Sequence, residues 1–322
     1  MIKQLLIKSI VSSFLIGIFV AYSNSNVYSA NKQNIAEANK ESQIAYNELS
    51  KGKTDEAIAS FNKAISLDDK NSPAYVGLGN AYAQKGETDK AIVYFNKIIS
   101  LNDKSSPAYV GLGNAYAQKG ETDKAIASFN KVISLDDKNI YAYAGLGNAY
   151  AQKGETDKAI ISFNKVISLD DKSYPAYVGL GNAHLQKEDE TDEAIASFNK
   201  AISLDDKSSP AYAGLGNAHL QKEDETDEAI ASFNKAISLD DKSSPAYAGL
   251  GNAYAQKGKT DEAIVCFNKA ISLDDKNIYA HYILGETYLS LDKKDLALEQ
   301  YNILKGLNKD LARQLYEQIE LK

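Results

Sequence analysis

Three histidines, one cysteine and a recurring glycine-rich tetrapeptide are the residues here whose types could do chemistry. His184, His219 and His281 suggest a metal site, since imidazole is a common ligand for zinc and its neighbours. None of the three has a second His or Cys at i+3 or i+4, the spacing that would put two such donors on one helical face. His184 and His219 stand where related segments carry Tyr82, Tyr116, Tyr150 and Tyr254, and His281 stands where they carry Tyr75, so all three read as core-facing substitutions. Gly77-Leu78-Gly79-Asn80 has the look of a phosphate loop, but it recurs inside helical pattern, follows no strand and lacks the further glycine. Cys266 is the only cysteine, so it forms no internal disulfide. No Ser/His/Asp set and no carboxylate pair rises above the background. The residues predict no enzyme, no metal and no cofactor.

What must position any functional residue is a repeat. Ser72-Pro73-Ala74-Tyr75-Val76-Gly77-Leu78-Gly79-Asn80-Ala81-Tyr82, followed by Gly86, Ala91 and Phe95, returns 34 residues later from Ser106, with Gly120, Ala125 and Phe129. Tyr75, Leu78, Gly79 and Tyr82 fall at i, i+3, i+4 and i+7, one face of a helix. Ala91, Ile92, Phe95, Ile98 and Ile99 give a second helix, and Gly86 between them reads as the turn. Ser72 before Pro73 is expected to cap the first helix, as are Ser106, Ser209 and Ser244. Glu87 or Thr88 opens the second. Glycine at position 79 and its equivalents costs about 1 kcal/mol relative to alanine inside a helix, which predicts a close approach of the partner helix at Ala91. One such helix pair buries too little to offset its chain entropy, so neighbouring pairs must stack.

At Tyr75, Leu78, Gly79, Tyr82, Gly86, Ala91 and Phe95 the chain resembles the tetratricopeptide repeat family. The resemblance implies an all-α fold, a right-handed α-solenoid of stacked antiparallel helix pairs. Eight units cover 38–71, 72–105, 106–139, 140–173, 174–208, 209–243, 244–277 and 278–311. Residues 31–37 read as a linker and 312–322 as a capping helix carried by Leu311, Leu315 and Ile319. Where the family ends its second helix with proline, this chain has Asp103, Asp137, Asp171, Asp206, Asp240 and Asp275. Units five and six are one residue longer, with Glu188-Asp189 and Glu223-Asp224 replacing the turn glycine. In the first unit Glu41, Ala45 and Glu48 replace Tyr, Gly and Tyr, as suits a polar cap.

Lys3 and Lys8 precede an uncharged, mostly apolar run ending at Tyr22, and small or polar residues follow to Ala30. Residues 1–30 therefore predict a secretory signal peptide and an exported protein of periplasm, envelope or medium. The alternative is an uncleaved anchor through residues 9–22, a run short of the about 20 residues that a spanning helix needs. The formal charge is −7 and grows more negative without Lys3 and Lys8, which argues against nucleic acid as a partner. Much of that acidity lies in turns such as Asp68-Asp69-Lys70, where solubility explains it.

In the resembled family the face opposite the tyrosine stripe lines a concave groove for extended peptides or helices. Here it would carry an asparagine column, Asn80, Asn114, Asn148, Asn182, Asn217 and Asn252. A glutamine column, Gln84, Gln118, Gln152, Gln186, Gln221 and Gln256, would run beside it, with Val76, Val110 and Val178 as shallow apolar contacts. Amides donate and accept, so they can bond a peptide backbone of any sequence. Family members that clamp carboxylates use Lys and Arg on this face; Pro73, Val76, Gly77 and Ala144 stand there instead. The expectation is a non-catalytic, exported interaction scaffold with a protein or peptide partner and no small-molecule substrate. The alternative is a structural spacer or self-associating envelope protein, in keeping with units five and six that differ over most of their length only at Val178 and Ala213.

Overall fold

A computed structural model describes residues 31–187, 189–222 and 224–321. The expected signal peptide, residues 1–30, lies outside the described residues, as do Glu188 and Glu223. Among the described residues every regular element is an α-helix. The chain divides into two compact units, the second beginning at Tyr150.

The first unit holds α1 (31–50), α2 (Thr54–Leu67), α3 (Ser72–Gln84), α4 (Thr88–Leu101), α5 (Ser106–Gln118), α6 (Thr122–Leu135) and most of α7 (Ile140–Gln152). The second holds α8 (Thr156–Leu169), α9 (Tyr174–His184), α10 (Thr191–Leu204), α11 (Ser209–Leu220) and α12 (Thr226–Leu239). It continues through α13 (Ser244–Gln256), α14 (Thr260–Leu273), α15 (Ile278–Ser290), α16 (Lys294–Leu307) and α17 (Lys309–Leu321). Within each unit, sequence neighbours pack as helix pairs, and first helices of adjacent pairs also touch, as α3 does α5 and α11 does α13. Residues 31–37, expected as a linker, are helical and continue into α1. The closing helix starts at Lys309, so residues 309–311 belong to it and not to the eighth repeat; Leu315 and Ile319 are fully buried.

Helix starts differ by one residue from the sequence expectation. Asn71, not Ser72, caps α3: its side chain accepts from the Ala74 amide at 2.9 Å, and Pro73 sits inside the first turn. Ser105, Ser208 and Ser243 hold the equivalent cap positions without a side-chain cap bond. The expected capping serines Ser209 and Ser244 instead donate to the carbonyls of Ala236 and Ala270, at 3.0 and 2.9 Å, in the last turn of a second helix. Glu87 holds the cap position of α4, with Thr88 as its first helical residue. Gly86 does form the turn, at φ +75°, a conformation that a side chain makes costly.

Gly79 and its counterparts in the Gly-Leu-Gly motifs face a phenylalanine, not Ala91, whereas Gly285 of α15 faces Leu315. A Cβ on Gly79 would lie 2.5 Å from the Phe95 ring, and one on Gly111 of the next repeat would lie 2.4 Å from it. Phe129 is held the same way by Gly113 and Gly145, Phe198 by Gly181 and Gly214, and Phe233 by Gly216 and Gly249. Each ring is buried, and burying one stabilises by about 1.5–3 kcal/mol, more than the helix cost of a glycine. The Gly-Leu-Gly of each first helix is thus a double notch, for the ring of its own repeat and for that of the repeat before. In α15 the first notch is filled by Ile283, and α14 and α15 approach each other less closely than the other successive helices of this unit.

Candidate protein-binding face

Val76, Asn80 and Gln84 sit four residues apart, so they form one stripe along α3. Its counterparts are Val110, Asn114 and Gln118 on α5, and Asn148 with Gln152 on α7. In the second unit Val178 and Asn182 lie on α9, with Gln186 just past its end, and Asn217 on α11 is followed by Gln221 at the C-cap. Asn252 and Gln256 complete the stripe on α13. Asn80, Asn114, Asn148, Asn182 and Asn217 are exposed and Asn252 is half-buried; all six glutamines are exposed, and Val76, Val110 and Val178 are half-buried. Taken unit by unit, neither the stripe of α3 to α7 nor that of α9 to α13 holds an ionisable residue. On α15 the pattern stops: Glu286 takes the asparagine place and accepts from Gln318 Nε2 at 2.7 Å.

Part of the glutamine column has a second task that sequence reasoning missed. Thr88 Oγ1 donates to Gln118 Oε1 at 3.2 Å, and Thr156 and Thr191 donate to Gln186 and Gln221 at 3.0 Å. Gln221 Nε2 also donates to the Leu185 carbonyl at 3.2 Å. Beside these bonds Lys85 pairs with Asp55 at 2.7 Å, Lys119 with Asp89 and Lys222 with Asp192 at 2.8 Å. Every one of these Thr–Gln and Lys–Asp partners is 30 residues apart, so each ties the end of a first helix to the second helix of the preceding repeat. The common offset was the available signal. The lysine pairs lie on the surface, where water and salt screen them.

In the second unit, side chains of the stripe enclose a cleft of about 640 Å³. Asn217, Gln221, Asn252 and Gln256 line it together with Leu220, Pro245, Ala248 and Tyr279. Asn252 Nδ2 donates to the Tyr279 hydroxyl at 2.6 Å.

The histidines have local partners. His281 is buried, with Nδ1 2.7 Å from Gln300 Oε1 and Nε2 3.1 Å from the Asp275 carbonyl. His184 and His219 are half-buried, each with Nδ1 2.6 Å from the carboxylate six residues on, Glu190 and Glu225. Lys187 first, then His184, hold the Glu190 carboxyl below its ordinary range. His219 is the largest influence on Glu225, which is lowered likewise. A carboxylate kept ionised can only accept, so Nδ1 carries the proton in both. These pairs occur in the two repeats that are one residue longer, and they tie the first helix to the start of the second. Cys266 is buried; desolvation, and after it Glu262, pushes its thiol up to about 11, which leaves it inert as a nucleophile near neutral pH. Among the described residues no three His, Cys, Asp or Glu gather where they could hold a metal, and no helix is long and apolar enough to cross a membrane.

The family model described as the cilia and flagella-associated protein 70 C-terminal domain matches residues 96–310, about two thirds of the chain. A tetratricopeptide repeat model matches residues 48–116. The chain belongs to the tetratricopeptide repeat family. Among solved structures, this tetratricopeptide repeat protein is similar to one titled as the crystal structure of the APC/C hetero-tetramer Cut9-Hcn1. That likeness has a TM-score of 0.65 at 21% identity over 83% of this chain, and spans 52%, about half, of the other. A tetratricopeptide repeat protein from Parabacteroides merdae ATCC 43184 matches with TM-score 0.65 and 20% identity, over 80% of this chain and 99% of that one. TTC0263, a thermophilic TPR protein in Thermus thermophilus, matches with TM-score 0.53 and 18% identity, over 57% of this chain and 100% of that one. At such identities the likeness concerns the fold. No curated protein matches the chain. Stacked repeats of this kind are protein–protein interaction scaffolds, because stacking creates extended binding surfaces.

Proposed function

We propose that this tetratricopeptide repeat protein is an exported, non-catalytic scaffold that holds an extended segment or a helix of a partner protein along the stripe of its first helices. The observation that carries the reading is the asparagine column. In the first unit from α3 to α7, and in the second from α9 to α13, one asparagine per first helix stands at the same helical place, exposed except at Asn252, in a stripe without charge. Such a surface suits main-chain recognition, with donors and acceptors at a regular step. Three glutamines whose oxygens are engaged by threonines leave the asparagines as the main readers. The apolar run before Tyr22 supports export.

Replacing Asn182 and Asn217 together by alanine is expected to lower recovery of the partner from envelope extracts at least about tenfold while leaving helicity unchanged. Undiminished recovery counts against the groove. The second reading, a spacer or self-associating array, draws on the Thr–Gln and Lys–Asp bonds that join repeat to repeat regardless of any ligand. Deleting repeat 209–243 beside the Asn182/Asn217 alanine variant separates the two, since a spacer loses function with the deletion but not with the substitutions, whereas a groove loses it with either.

A further inference from the structure

We infer that the cleft between α11, α13 and α15 is where this face discriminates among side chains, and that it admits an uncharged aliphatic side chain or proline from an extended partner segment. The inference rests on the groove reading above and narrows it from main-chain capture to side-chain choice.

Its size, about 640 Å³, lies within the range of pockets that enclose ligands. Leu220, Pro245, Ala248 and the Tyr279 ring supply apolar wall, while Asn217 and Gln256 add amides. Apart from the Tyr279 phenol, no acid or base lines it. A lysine or glutamate side chain entering there would leave water and meet no opposite charge, which is costly; an aliphatic one would shed water at no such cost. The selection against charge follows from the lining itself.

What sets this cleft apart is how Tyr279 is held. It occupies the place that Pro73, Pro107, Pro175, Pro210 and Pro245 hold in other repeats and that Tyr141 holds in repeat 140–173. Its hydroxyl accepts the bond from Asn252, so the last asparagine of the column fixes a ring and no longer offers that proton to a peptide. Tyr279 as a whole residue is 46% exposed, an aromatic side chain held beside a groove by a bond at its far end. Aromatic rings anchored this way give contact area at small entropic cost. Just past it Glu286 ends the amide column. Asn252 is therefore a positioning residue and Tyr279 a specificity-determining one.

The test is fluorescence anisotropy of the full chain with labelled peptides of about ten residues, built on a common Gly/Ser/Asn backbone and differing at two central positions: Leu-Pro, Lys-Lys or Glu-Glu. The Leu-Pro peptide is expected to bind about tenfold or more tighter than either charged one, and Tyr279→Ala to reduce that preference to about threefold or less with helicity unchanged. Asn252→Ala, which frees the ring without removing it, is expected to weaken the preference at least about twofold and keeps the question answerable if the tyrosine variant fails to fold. Equal binding of the three peptides, or a preference untouched by both variants, overturns this inference and leaves the groove reading standing. No binding by any peptide, together with undiminished partner recovery in the Asn182/Asn217 variant, overturns both.

Discussion

A phenylalanine ring lies between two missing side chains in successive repeats. Phe95 lies against Gly79 of its own repeat and Gly111 of the next, and it is 1% exposed, so it has no room to swing aside. Gly111→Ala would place a Cβ 2.4 Å from the ring. Overpacking of that kind costs about 1–3 kcal/mol, and the gain in helix propensity, about 1 kcal/mol, offsets only part. Gly306 provides the contrast: it lies in α16 and a Cβ there meets nothing within 4 Å. Gly306→Ala is therefore expected to raise the melting temperature while Gly111→Ala lowers it, a difference in sign that thermal melts of the two variants check. The glycines were legible in the sequence as anomalies, because glycine inside a helix demands compensation. Their partner was not: spacing along one helix shows which residues share a face, but not which side chain of another helix that face meets.

The starts of the Ser-Pro helices were legible to within a residue, and the residue matters. Ser-Pro reads as cap followed by first helical position, yet the proline sits second and Asn71 does the capping. Asn71 is 2% exposed; besides the Ala74 amide its oxygen accepts from Ser42 Oγ at 3.0 Å, and its nitrogen donates to Asn39 at 2.9 Å. Asn71→Ala removes the cap and leaves the buried Ser42 without that acceptor, so a loss of about 1–2 kcal/mol is expected. Ser105 holds the same position on α5 with no side-chain cap bond, and Ser105→Ala should cost less than about 0.5 kcal/mol. Comparing the two melts tests whether the cap bond, and not the residue type, carries the effect. The displaced serines show why sequence misplaced the cap. Ser209 and Ser244 bond to carbonyls 27 and 26 residues away, contacts that no local pattern announces.

At the scale of the molecule each repeat is incomplete without its neighbour, because the ring of one is closed by the glycine of the next. A peptide covering 209–243 keeps Gly216 against Phe233 but lacks Gly249, and it lacks the lysine that pairs with Asp227. It is expected to show less than about 20% helix by circular dichroism, since helices this short are marginal alone, whereas 174–277 should regain cooperative melting. A folded single repeat would contradict the stacking argument. The 34-residue period, the two helical faces and the turn glycines were determined by sequence alone, since periodicity and φ preference act locally and repeat with the chain. Only the tertiary structure decided that the glycines receive phenylalanines, that threonines draw glutamines out of the amide face, and that Asn252 anchors Tyr279 beside a cleft. Each of those joins residues 16 to 30 apart, on different helices, where distance is set by packing and not by the helical repeat.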